Sequence, residues 1–190
     1  MLWNLPNTLT MLRILLIPVF AIVFYMSPTH QANVYATAVF GLAAITDWLD
    51  GYYARKWNQT SAFGAFLDPV ADKLMVAAAL IILVEFDRVG AVVAFIIIGR
   101  EIAISALREW MAGIGERGSV AVATIGKVKT VVQMVAILFL LYFDPIGPLN
   151  ISFIGQVLIQ LAAILTLVSM GYYLKAAWPQ MRADKKTKLK

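Results

Sequence analysis

The sequence is organised around one stretch: Asp47-Trp48-Leu49-Asp50-Gly51-Tyr52-Tyr53-Ala54-Arg55, followed after eight residues by Gly64, Asp68 and Asp72. Four carboxylates therefore fall within 26 residues of a chain that is otherwise strongly apolar. An ionised carboxylate at membrane depth costs on the order of 2.5–3.5 kcal/mol on insertion scales. A pair of divalent cations is the simplest counter-charge for such a cluster. We therefore predict that the rest of the chain is a scaffold that holds this segment at a membrane surface.

The composition indicates an integral membrane protein. Of the 190 residues, 61% are hydrophobic and 14% are charged, whereas soluble domains average about 25% charged residues. There is no cysteine, which excludes disulfides and thiolate metal sites, and the one histidine, His30, cannot build a zinc site alone. The net charge of +5 lies largely in a basic tail at 182–190. Such a tail suits membrane lipids better than nucleic acid, so we expect no nucleic-acid partner.

Six apolar segments are each close to the ~20 residues that a helix needs to cross a bilayer. They run over 9–27, 32–54, 69–86, 90–112, 122–143 and 150–175, and glycine or proline lies in or near the breaks. Residues 1–8 are predicted to be a short interfacial segment, which Pro6 separates from the first span. The sequence therefore predicts an all-α, polytopic membrane protein with six transmembrane helices in a single domain, 1–190.

The basic residues in the loops predict the orientation of these spans. The loops after the first and fifth spans carry no lysine or arginine, and the loop after the third carries only Arg88. The loops after the second and fourth spans are basic, with Arg55, Lys56, Arg108 and Arg117. Together with the basic tail, this pattern predicts that both termini and the aspartate segment face the cytoplasm.

The spacing of the four aspartates predicts one carboxylate-lined pocket. Asp47 and Asp50 share one face at the end of the second span, and Asp68 and Asp72 share a face at the start of the third. The short polar turn between the spans returns the chain antiparallel, so we expect both pairs to face each other. Carboxylate oxygens without histidine or cysteine favour Mg²⁺ or Mn²⁺. Two such ions are the usual apparatus for displacement at phosphorus.

Simpler interpretations exist for single members of this cluster. Asp68 before Pro69 is typical of a helix N-cap, and Asp72 next to Lys73 is a local charge pair. Gly51 is also typical of close helix packing. None of these interpretations accounts for four aspartates on two adjoining spans.

The full spacing, Asp-x2-Asp-Gly-x2-Ala-Arg-x8-Gly-x3-Asp-x3-Asp, resembles the signature of the CDP-alcohol phosphatidyltransferase family at every fixed position. Three further segments are similar to bacterial members of that family that form phosphatidylglycerophosphate: Asn4-Leu-Pro-Asn-Thr-Leu-Thr-Met-Leu-Arg13 with Pro18, Gly99-Arg-Glu-Ile-Ala-Ile-Ser-Ala-Leu-Arg-Glu-Trp110, and Gly126-Lys-Val-Lys-Thr130. The resemblance covers nearly the whole chain.

This resemblance implies transfer of the phosphatidyl group of CDP-diacylglycerol to sn-glycerol 3-phosphate, with release of CMP. It implies two divalent ions bound by Asp47, Asp50, Asp68 and Asp72, with Asp72 also acting as general base toward the glycerol hydroxyl. It implies that three residues border the cytidine diphosphate: Gly51, Ala54 and Arg55. It also implies a homodimer in the bacterial cytoplasmic (inner) membrane.

Basic residues on the fourth and fifth spans bear on the acceptor. They are Arg100, Arg108, Lys127 and Lys129. Together they predict a cationic pocket for an acceptor that carries its own phosphate, which argues against choline, ethanolamine and serine. Two simpler interpretations stay open, a buried charge pair between Arg100 and Glu101 and ordinary boundary lysines. On the first span, Asn7, Thr10 and Arg13 recur at every third position, where they line the nucleotide pocket, cap the helix or extend to headgroups.

Three other functions compete with this prediction. The nearest keeps the family and changes the acceptor, for instance to inositol phosphate or phosphatidylglycerol. A cation transporter also places carboxylates within the membrane, but here the aspartates cluster near one face of the membrane. The third is a purely structural helix bundle, in which the aspartates have no chemical role.

Overall fold

The computed structural model describes residues 5–26, 29–56, 62–114 and 124–187. These residues form six helices: α1 (Leu5–Met26), α2 (Thr29–Lys56), α3 (Ala62–Glu85), α4 (Ala91–Gly113), α5 (Thr124–Tyr142) and α6 (Ile151–Thr187). An isolated bridge between Ile146 and Leu149 is the single β-type pairing in these ranges. The prediction of an all-α chain with six helices is confirmed.

Three helix boundaries differ from the predicted spans. α1 already includes Pro6, so the described part of segment 1–8 continues the first helix instead of being separated from it. Proline is tolerated in a first helical turn because its missing N–H has no partner there. α3 begins at Ala62, so Asp68 lies inside a helix and is not its N-cap. α6 continues to Thr187, beyond the apolar segment that ended at 175.

Contacts at the two ends of the bundle show that successive helices run antiparallel. At one end, which we call the carboxylate end, Arg13 of α1 meets Asp47 in the second half of α2 and Asp72 in the first half of α3. At the opposite end, Tyr25 near the end of α1 donates a hydrogen bond to Glu85 at the end of α3. The chain therefore alternates between the two ends.

α1 packs against both α2 and α3, which touch each other at few positions in the described part of the chain. Aromatic side chains fill this interface, where the ring centroids of Phe20 and Phe40 lie 6.4 Å apart. Leu80 of α3 and Ile137 of α5 are fully buried in the same core. α1 thus packs against both helices that carry the aspartates and stabilises their positions.

Arg88, in the turn between α3 and α4, ties the opposite end of the bundle together. Its guanidinium donates to the backbone carbonyls of Leu140 and Leu141, each at 3.0 Å, and to Oδ1 of Asn33 at 2.7 Å. The last carbonyls of a helix lack intrahelical partners, so a cation at the end of α5 is favourable there. Burial lowers the pKa of Arg88, while the carboxylate of Asp144 opposes that shift.

Within the described residues, two helical segments are long and apolar enough to cross a bilayer: Asn7–Met26 and Ile151–Pro179. Val128–Tyr142 is a shorter apolar stretch. α3 and α4 carry more ionisable residues, among them Asp68, Asp72, Arg100 and Glu101. These ionisable side chains lower the mean hydropathy of α3 and α4.

Gly155 allows α5 and α6 to approach closely. A Cβ at this position would lie 2.9 Å from Cγ and 3.2 Å from the backbone nitrogen of Leu140. A Cβ at Gly171, further along α6, would have no heavy atom within 4 Å in the described part of the chain. The two glycines form a matched pair for testing the packing of α6.

We expect Gly155→Ala to destabilise the protein by about 1–3 kcal/mol because overpacking forces the backbones of α5 and α6 apart. For a chain of this size this corresponds to a fall in apparent Tm of roughly 3–10 °C in detergent. Gly171→Ala is the control, and its Tm should stay constant or rise because alanine favours the helix. Equal Tm values for the two variants would contradict the close α5–α6 contact.

Candidate active site

A single buried guanidinium joins the carboxylates of α2 and α3. Nη1 of Arg13 lies 3.1 Å from Oδ1 of Asp47 and donates a hydrogen bond to Oδ1 of Asp72. Arg13 is 1% exposed, whereas the two aspartate side chains are 43% and 44% exposed. The prediction that aspartates from both helices face one site therefore holds for this pair. Arg13 of α1 lies between the two aspartates.

Asp68 is bound by a second residue of α1. Thr10 is fully buried and donates its hydroxyl proton to Oδ1 of Asp68. Asn7, one turn earlier on the same helix, is also buried. Of the roles weighed for the series Asn7, Thr10 and Arg13, the structure supports a place in the site and not at the headgroups. The signal was their recurrence at every third residue, which puts them on one face of α1.

The donor set of the carboxylate end fits a hard divalent cation. Its aspartates offer hard carboxylate oxygens, and the single histidine, His30, lies at the opposite end beside Asp144. No group of three or more acidic or histidine side chains is close enough to hold a metal ion among the described side chains. Arg13 instead supplies the counter-charge to Asp47 and Asp72, which leaves a cavity of about 10 Å³ beside them. Asp50, which the sequence assigns to the same cluster, has no described side chain.

Five predicted site residues fall on side chains outside the described part of the structure. They are Asp50, Gly51, Ala54, Arg55 and Lys127. Their backbones belong to the last turns of α2 and the first turn of α5. The five positions therefore lie at the carboxylate end of the bundle.

A second charged cluster lies on α4 and α5. Oε1 of Glu101 accepts hydrogen bonds from Nζ of Lys129 and, at 3.3 Å, from Nη1 of Arg100. Both basic residues are buried. The charge pair between Arg100 and Glu101 is therefore present, and Lys129 is an internal member of it instead of an ordinary boundary lysine.

Residues of α6 complete this second cluster. Nη2 of Arg100 donates to Oγ of Ser169 at 3.1 Å, and Nη2 of Arg108 donates to the hydroxyl oxygen of Tyr173 at 2.9 Å. A cavity of about 370 Å³ opens here, lined by Arg100, Glu101, Arg108, Gly126, Thr130, Val131 and Tyr173. We call this space the basic cavity. Its volume is of the size that holds a small ligand.

Sequence reasoning assigned no site residue to α6. The signal was the series Thr166, Ser169 and Tyr173, which places polar groups at i, i+3 and i+7 on one face of an apolar helix. All three are buried. The acceptor prediction considered charged residues alone and therefore missed them.

The two clusters are neighbours. A groove of about 240 Å³ between α3 and α4 is lined by both Lys73, next to Asp72, and Glu101 of the basic cavity. On the other side, Met134 of α5 lines the small cavity beside Asp47 and Asp72. A ligand in the basic cavity would therefore lie next to the helices that carry the aspartates.

The sequence of the chain is similar to those of known proteins. A sequence model of the family described as CDP-alcohol phosphatidyltransferase matches residues 3–168. Two proteins named CDP-diacylglycerol–glycerol-3-phosphate 3-phosphatidyltransferase, from Shigella flexneri serotype 5b and Escherichia coli, are each 50% identical over 184 residues, which is 96% of this chain and 97% of theirs. A protein of the same name from Salmonella typhimurium is 51% identical over 177 residues, or 92% of this chain and 95% of its own.

We expect Arg13→Met to destabilise the protein by about 1–3 kcal/mol because two carboxylates lose a charged, buried hydrogen-bond donor. The measurement is the apparent Tm in detergent without divalent ions, where the fall should be roughly 3–10 °C. Lys175→Met removes an exposed basic residue of α6 and is the control.

A double-mutant cycle tests whether charge is the cause. Asp72→Asn in the Arg13→Met background should restore part of the lost stability, with a coupling of about 0.5–3 kcal/mol. Purely additive effects would show that Arg13 stabilises the bundle through packing alone.

Proposed function

The chain belongs to the CDP-alcohol phosphatidyltransferase family, and from this premise we propose that it transfers the phosphatidyl group of CDP-diacylglycerol to sn-glycerol 3-phosphate and releases CMP. One observation carries the proposal: a carboxylate cluster on α2 and α3 lies next to a basic cavity between α4, α5 and α6. The first suits chemistry at phosphorus, and the second suits an acceptor that carries phosphate. The names of the relatives point to the same pair of substrates.

The enzyme works in a bacterial inner membrane, with all six helices of the single domain 1–190 as transmembrane spans and the active site facing the cytoplasm. The antiparallel alternation of the helices supports this topology because an even number of spans returns both termini to one side. The basic residues of 182–190 and of the loops at the carboxylate end support the cytoplasmic side. Family resemblance further supports a homodimer.

Two divalent ions, Mg²⁺ or Mn²⁺, are held by Asp47, Asp50, Asp68 and Asp72. When bound, they polarise the diphosphate and neutralise charge on the departing CMP. The hard oxygen donors of the described aspartates support this assignment. Arg13 already compensates Asp47 and Asp72, so bound ions would share these carboxylates with it.

Asp72 is the general base in the proposed reaction. Its carboxylate accepts the proton of the glycerol hydroxyl as that oxygen attacks the phosphatidyl phosphorus, and the bond from this phosphorus to the oxygen of CMP breaks. Arg13 fixes the position of the carboxylate through its hydrogen bond to Oδ1. Gly51, Ala54 and Arg55 border the cytidine diphosphate, where Arg55 pairs with phosphate.

The acceptor phosphate binds in the basic cavity. Arg100 and Arg108 line it and supply positive charge for the phosphate. Lys127, on the first turn of α5, belongs to the same group. Lys129 is bound to Glu101, so it acts on the pocket by holding that carboxylate in place.

Purified enzyme offered CDP-diacylglycerol with one acceptor at a time tests the proposal. Release of CMP with sn-glycerol 3-phosphate, and none with glycerol, is the expected result because the cavity selects for phosphate. Inositol phosphate and phosphatidylglycerol are the competing acceptors. Turnover with either of these and none with glycerol 3-phosphate would overturn the choice of acceptor while leaving the family chemistry intact.

We expect Asp72→Asn to lower kcat at least about 100-fold, since an amide cannot accept the proton and general bases contribute about 10²–10⁴. Binding of CDP-diacylglycerol should stay measurable by calorimetry. Asp87→Asn is the matched control because Asp87 lies in the exposed turn between α3 and α4 at the opposite end. Full activity of Asp72→Asn would remove this residue from the mechanism.

A further inference from the structure

Tyr173 of α6 lies against both arginines of the basic cavity. Its ring centroid is 5.4 Å from Cζ of Arg100 and 5.1 Å from Cζ of Arg108. Its hydroxyl oxygen also accepts the hydrogen bond from Nη2 of Arg108. One side chain therefore contacts two guanidinium groups, by its π-face and by its oxygen. Tyr173 lies in an apolar part of α6, where no charged residue indicated such a role.

An aromatic ring solves a problem that two neighbouring cations create. Guanidinium groups that converge on one ligand repel each other when the ligand is absent, and long arginine side chains lose rotamer freedom when they are held in place. A tyrosine ring attracts both cations through its quadrupole and adds no net charge that would compete with an anionic ligand. Glu101 already balances part of the positive charge of this cavity, and the ring of Tyr173 adds no second negative charge that would repel the phosphate.

Tyr173 is itself held firmly. It is 3% exposed and packs in an apolar cluster with Ile104, Leu107 and Met111 of α4 and Ala177 of α6. This cluster is separate from the main core of the bundle. One turn earlier on α6, Ser169 accepts a hydrogen bond from Arg100. α6 thus presents a rigid surface to Arg100 and Arg108.

We propose that Tyr173 is a positioning residue that holds Arg100 and Arg108 in the orientation required to bind the dianionic phosphate of the acceptor. The inference rests on the proposed function, and it assigns recognition of a phosphomonoester to α6 as well as to α4 and α5. Tyr173 touches the arginines and not the reacting atoms. Its loss should therefore weaken acceptor binding and leave the chemical step and the lipid substrate unaffected.

Two substitutions of Tyr173 separate its hydrogen bond from its ring. Tyr173→Phe keeps the stacked ring and loses the hydroxyl, and the KM for glycerol 3-phosphate should rise about fivefold. Tyr173→Leu loses both interactions, and the KM should rise at least about 30-fold. For both variants, kcat and the KM for CDP-diacylglycerol should stay within about twofold of wild type. Tyr172→Leu, at a neighbouring position that is 60% exposed, is the control and should leave all three constants unchanged.

The outcomes distinguish this inference from the proposed function. If wild type releases CMP with glycerol 3-phosphate and Tyr173→Phe has an unchanged KM for it, the inference is wrong. A parallel fall in kcat and rise in both KM values would assign Tyr173 a general structural role and would also overturn it. The Phe variant keeps the ring, so the test stands even if the Leu variant does not fold.

A binding measurement covers the case in which wild type does not use glycerol 3-phosphate. Wild type and Tyr173→Phe are then titrated with inorganic phosphate in a calorimeter, and the measured Kd reports on the pocket alone. Weaker phosphate binding by the variant would support the positioning role although the proposed acceptor had failed. Equal binding would overturn the inference as well.

Discussion

The structure depends on the requirement that each buried charge has a partner of opposite sign or a set of hydrogen-bond acceptors. Removing one partner of a buried ion pair is destabilising because an uncompensated charge is left behind. Arg13 satisfies this requirement with two aspartates, and Lys129 satisfies it with Glu101. Arg88 satisfies it with backbone carbonyls and Asn33. These three residues link most of the helices through polar contacts, in addition to the apolar core of the bundle.

The same requirement explains the position of α1. Two helices that carry aspartates repel each other at the end where the carboxylates lie, and they touch at few described positions. α1 lies against both and inserts a cation and a hydroxyl, from Arg13 and Thr10, between them. In the proposed reaction, added cations would share the carboxylates with Arg13. In that reaction, substrates and ions would change the net charge of the site, while apolar packing keeps the helices in place.

The sequence predicts much of this architecture. Apolar segments of suitable length predict six helices, and the fixed spacing of Asp47, Asp68 and Asp72 predicts the two helices to which the proposed reaction assigns catalysis. The start of α3 was missed because proline at 69 is a strong sign of a helix beginning, and here the helix continues through it. Tyr173 and Ser169 were missed because an uncharged residue in an apolar helix looks like packing until its neighbours are known. Pairings such as Arg13 with Asp72 are long-range contacts, which no local pattern encodes.

The order of contacts along the chain has a consequence for biosynthesis. The most extensive helix contacts join neighbours in sequence, α1 with α2 and α5 with α6, so two helical hairpins form from segments that emerge together. The polar contacts of the site join segments that are distant in sequence: Arg13 with Asp72, Lys129 with Glu101, and Arg100 with Ser169. The first five helices carry the aspartates and the basic residues of the cavity, and α6 adds Ser169 and Tyr173. During synthesis, the contacts that hold Arg100 and Arg108 can therefore form only after the last helix has packed against α4.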